Sequence, residues 1–148
     1  MPFRPENGLV IRYDFLWKTE QGRGRVHGVK DRPCAIVLVA RPREDGSRTV
    51  VVCPVTHVPP RKPDGAVEIP PRVARHLGLD DRRSWITTHE VNSFIWQEGR
   101  IPAGVVPATE TKWAFGFIPP NLYVRMRDQV IRRSRDKSLA VVKREDGG

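Results

Sequence analysis

The chain has 148 residues, of which 39% are hydrophobic and 29% charged, and 26 Lys and Arg against 17 Asp and Glu give a net charge of +9. That composition predicts one globular domain with its own core and excludes a disordered chain. No apolar run approaches the roughly 20 residues of a membrane span. The N-terminal stretch Met1 to Gly8 lacks the apolar centre of a signal peptide, so a cytoplasmic protein without a membrane partner is expected. The basic excess favours a polyanionic partner, because surface cations gain affinity by displacing counterions from phosphates.

Gly8 to Trp17 is rich in β-branched and aromatic residues and predicts a first strand. Lys18 to Lys30 reads as a polar loop with three glycines and four cations, Lys18, Arg23, Arg25 and Lys30. Such a long loop is usually functional or disordered. Strands are predicted over Cys34–Ala40 and Thr49–Val55, joined by a turn at Asp45-Gly46. His57 to Gly65 carries too many prolines for regular structure. A short strand over Ala66–Ile69 precedes a helix over Arg72–Leu77, opened by Pro70-Pro71 and stopped by Gly78. Strands are then expected at Ser84–His89, continuing past a bulge or turn over Val91–Trp96, and at Lys112–Ile118. Pro119-Pro120 opens a helix over Asn121–Arg135, with Leu122, Met126 and Val130 on one stripe. The tail from Ser138 to Gly148 is expected to fray. Short strands, Gly/Pro turns and one late helix predict a mainly β fold, a small, partly closed antiparallel barrel.

Cys34 and Cys53, the only cysteines, lie in apolar runs and read as buried, reduced thiols, although neighbouring strands would allow a disulfide. Two cysteines without C-x-x-C do not make a four-ligand zinc site. No Walker loop, H-E-x-x-H or G-x-S-x-G is present, so neither metal nor cofactor is expected. Trp85, Trp96 and Trp113, with Phe94, Phe115 and Phe117, read mainly as core with one exposed, and a face for stacking on bases is the alternative.

Arg32, entering one strand, offers a planar fork of donors for phosphate oxygens; capping of the strand or pairing with Asp31 is an equal alternative. Thr56, leaving the next strand, can donate to an oxyanion, or simply bond nearby backbone in a turn. His57 has the chemistry for proton transfer at neutral pH, as does His89 beside Glu90, though a lone loop histidine is more often incidental.

Arg32-Pro33 before an apolar strand, Cys53-Pro54-Val55-Thr56 at a strand end and the earlier Gly8-Leu9-Val10-Ile11 occur in the order found in the PemK/MazF family of toxins, which the chain resembles from about Gly8 to Met126. The resemblance implies a single SH3-like barrel domain over residues 1–137 with a C-terminal helix, usually a homodimer. It implies a sequence-specific endoribonuclease that cuts single-stranded RNA and is neutralised by a cognate antitoxin; the mechanism expected is metal-independent attack by the RNA's own 2′-hydroxyl. The family's arginine and threonine fall on Arg32 and Thr56, and Glu20 is the candidate for a first-loop glutamate. His57 or Glu20 would move protons; Lys18, Arg23, Arg25, Lys30, Arg61 and Lys62 would hold the RNA backbone. The loop is longer and more basic than the family pattern, and the proline run at 59–63 departs from it. The rivals are a toxin of the same barrel class that binds a protein target such as gyrase, and an RNA-binding barrel without catalysis.

Overall fold

Three strands are apolar at almost every position because both faces of the sheet they form are covered: β1 (Leu9–Tyr13), β2 (Arg32–Val39) and β3 (Arg48–Thr56). The computed structural model describes residues 3–28, 30–62 and 65–144. Successive side chains point to opposite faces, and two cores follow from that alternation. Val10, Ala35, Val37, Cys53 and Val55 face one core, and Leu9, Ile11, Cys34, Ile36, Val50 and Val52 face the other.

The remaining strands are β4 (Ala66–Glu68), β5 (Trp85–Thr87), β6 (Glu90–Trp96), β7 (Val105–Val106), β8 (Ala114–Phe117) and β9 (Ala140–Lys143). The sheet runs β4-β5-β3-β2-β1-β7, with β8 also on β1 and β6 also on β3. Among the described residues the strand path does not close on itself. The fold is mainly β with one long C-terminal helix, as the sequence predicts.

Three helices complete it: α1 (Lys18–Gly22), α2 (Pro71–Leu77) and α3 (Pro120–Arg135). Pro71 starts α2 where its missing N–H costs nothing, and Gly78 ends it with a left-handed φ of 75°. Leu122, Met126 and Val130 of α3 are buried against Val10, Ala35 and Val67, each such burial being worth about 1.5–3 kcal/mol.

Two expectations need correction, the extent of the first strand and the fraying of the tail. The first strand ends at Tyr13 rather than Trp17, and α1 gives the following loop a helical turn. Val91–Trp96 continues past a turn at Thr88-His89, as expected, and as β6 pairs with the other half of the edge of β3 that β5 occupies. The tail does not fray throughout, because β9 adds to β6 in parallel and Arg144 is buried; residues 145–148 of that tail lie outside the described residues. As expected of the tryptophans, Trp85 and Trp96 are core and Trp113 is the exposed one, stacking on Phe3 at 5.7 Å.

Candidate nucleic-acid interface

β2 and β3 are antiparallel, with Cys34 opposite Pro54 and Ala35 opposite Cys53. The same register, carried two residues further, sets Arg32 at the start of β2 opposite Thr56 at the end of β3. Both therefore lie at one end of the sheet. The Arg32 guanidinium sits over the Trp17 ring, 5.3 Å from its centroid, and its Nε is buried without a hydrogen-bond partner. Trp17 is held in turn by its backbone N–H, which donates to Glu20 Oε1 at 2.9 Å, and by Phe15, packed edge-on at 5.0 Å. Glu20 thus supports the platform on which Arg32 rests.

The Val58 N–H donates to Thr56 Oγ1 at 3.1 Å, which leaves the threonine O–H able to donate to a ligand. Thr56 stands on the rim of two cavities. One is a groove of about 530 Å³ lined by Trp17, Arg61, Lys62, His89 and Arg133. The other, of about 250 Å³, is lined by Arg12, Asp31, His57, Asp80, Ser84 and Phe115. Of the cations expected to hold RNA, Arg61 and Lys62 share the groove with Thr56. Arg25 instead folds onto its own loop, donating to the His27 and Gly28 carbonyls at 3.1 and 3.3 Å. It lines a separate cavity with Lys143 and Arg144. Lys18, Arg23 and Lys30 are exposed and line neither cavity at Thr56.

His57 is committed at both ring nitrogens. Nδ1 faces the Arg83 carbonyl at 2.8 Å and Nε2 faces Asp80 Oδ2 at 2.9 Å. With an acceptor at each nitrogen, the ring ties the end of β3 to residues 80–83 and presents no unengaged nitrogen to a substrate. His89 is exposed on the groove that contains Thr56. The neighbouring Glu90 carboxyl is pushed up from its ordinary range, chiefly by burial, although it accepts the Lys18 N–H.

Sequence reasoning missed the residue that secures the loop. Arg144 donates to Asp14 Oδ2 at 3.0 Å, to Asn92 Oδ1 at 3.1 Å and to the Val26 carbonyl at 3.2 Å. Asp14 also accepts from the Gly28 N–H at 2.7 Å. A charged side chain this deeply buried needs such partners.

Cys34 and Cys53 lie on adjacent strands but face opposite cores, so both are free and no bridge joins them. Burial pushes both thiols up. Among the described residues no three His, Cys, Asp or Glu side chains converge as a metal site, and no helix is long and apolar enough to cross a membrane.

These features define a mainly β protein with a cationic, tryptophan-bearing groove at the open end of two central strands. Comparison with protein-family models, with curated proteins and with solved structures finds no match.

Proposed function

We propose that this protein is a toxin-like endoribonuclease that cleaves single-stranded RNA without a metal ion. On this reading it acts in the cytoplasm as a homodimer and is restrained by an antitoxin protein. The observation that carries the reading is that Arg32 and Thr56 stand opposite each other at one sheet end, where Thr56 rims a groove with three cationic side chains and a tryptophan, and Arg32 rests on that tryptophan. Cations follow an RNA backbone, and an aromatic face stacks on unpaired bases.

The RNA 2′-hydroxyl attacks the adjacent phosphorus, the bond from phosphorus to O5′ breaks, and a 2′,3′-cyclic phosphate and a 5′-hydroxyl remain. A base removes the 2′-hydroxyl proton and an acid supplies one to O5′. Arg32 neutralises the crowded phosphorane and Thr56 donates to a non-bridging oxygen, the kind of contact worth roughly 10²–10³ in rate. His89 is the imidazole on this groove and takes the proton-transfer role, because His57 is engaged at both nitrogens.

The test is incubation of the purified protein with a long mixed-sequence RNA and chemical mapping of the new ends. Cyclic-phosphate ends, resistance of a DNA copy and indifference to a chelator are expected. Failure to cut any RNA, or inhibition by EDTA, would overturn the reading. The commitment of Glu20 and His57 to structural contacts favours a second reading, an RNA-binding barrel without catalysis. It expects salt-dependent binding to single strands and no product.

A further inference from the structure

The smaller cavity beside Thr56 has a chemistry that phosphate cleavage does not use. Its lining carries two carboxylates, Asp31 and Asp80, next to the Arg12 guanidinium and the half-buried Phe115 ring. Two carboxylates repel a phosphate, whereas the groove across Thr56 offers Arg61, Lys62 and Arg133. Ser84 is only 3% exposed, and its Oγ is buried without a hydrogen-bond partner while lining the cavity. A buried hydroxyl left unbonded is unfavourable, and the polar edge of a ligand relieves it. A strand whose backbone lies in the groove and crosses Thr56 would therefore turn a base, not a phosphate, into this cavity.

We propose that the cavity is a base-recognition pocket that takes a guanine of the RNA, an inference that rests on the ribonuclease reading. Asp80 is occupied by His57 at 2.9 Å and by the Arg82 N–H at 3.1 Å. Asp31 and Arg12 enter none of the ion pairs among the described residues. Together they offer one carboxylate acceptor and one forked donor. Guanine answers both: its N1–H and N2–H are adjacent donors for a carboxylate, and its O6 and N7 are adjacent acceptors for an arginine. Adenine and the pyrimidines lack that pair of donors. Phe115 supplies a stacking face, and Ser84 meets the base from the buried side. Arg12 stands opposite Pro33 across β1 and β2, and Asp31 directly precedes Arg32. The residues that read the base thus flank the one that meets the phosphate.

The test is NMR titration of the wild-type protein with the 3′-monophosphates of guanosine, adenosine, cytidine and uridine, together with mapping of cut sites in a mixed RNA. The guanosine nucleotide is expected to bind severalfold tighter than the others and to shift the Ser84 and Phe115 signals. Asp31→Asn, a change at an exposed position, is expected to abolish most of that severalfold preference, because it removes one bidentate base contact. Ser84→Ala is expected to weaken binding with a smaller loss of preference. Equal binding of the four nucleotides, no binding, or a preference unchanged in both variants would overturn the proposal. Guanine preference without any cut RNA would sink the ribonuclease reading alone. Cut RNA with no guanine at a fixed position from the cut, and equal nucleotide binding, would sink the pocket alone.

Discussion

The groove and the smaller cavity meet at Thr56, yet they are built from different chemistry. The groove gathers Arg61, Lys62 and Arg133 around Trp17 and His89, while the cavity gathers Asp31 and Asp80 around Arg12 and Ser84. A strand end joins them because side chains alternate across the sheet: Arg32 faces Trp17, and Pro33, its neighbour, lines the cavity. One short stretch of β2 thus serves two environments of opposite charge. The histidines follow the same division. His57 on the cavity side is a tether, and His89 on the groove side is exposed.

The division between groove and cavity is most open to test at His89. If the groove holds the chemistry, His89→Ala should lower single-turnover RNA cleavage by about 10²–10⁴, the usual value of a proton-transfer group. His57→Asn should leave that rate nearly unchanged while altering which sequences are cut. The reverse ranking would move the chemistry to the cavity. Arg32→Ala should cost roughly 10²–10³ in the same assay, with an unchanged circular dichroism spectrum. Cleavage at the wild-type rate would remove Arg32 from the mechanism.

Replacement of Arg61 and Lys62 by Gln should weaken binding to single-stranded RNA without changing base preference. For each phosphate no longer neutralised, the slope of log affinity against log salt should become shallower by about 0.7. A shift in preference with an unchanged slope would place these side chains on bases. The smallest effect concerns Glu90, whose folded pKa is raised mainly by burial. The folded state then binds the proton more tightly than the unfolded chain. Stability is fullest below the unfolded pKa of about 4.3 and declines as pH rises through the folded value. Glu90→Gln should remove that decline, so its denaturation midpoint should exceed that of the wild type only above this window.

The central strands, the start and stop of α2 and the buried stripe of α3 were legible because local rules and tertiary packing agree there. Arg32 and Thr56 could be read as strand-end partners from the same logic. Trp17 and His89 could not be placed beside Thr56, because only tertiary structure brings those segments together. Arg144 was hidden for the same reason. In sequence it is one more cation near a basic terminus, and its meaning comes from Asp14, 130 residues away. β7, at two residues, and β9, at four, are too short for periodicity to show.

The placement of the two cysteines on opposite faces of the sheet gives the molecule a pair of internal reporters. Cys34 belongs to the core that holds Tyr13 and Phe94, and Cys53 to the core beneath α3. Each thiol meets a labelling reagent only when its own core opens. Their separate rates of modification therefore measure, within one chain, whether the layer under the helix and the aromatic layer come apart together or one after the other.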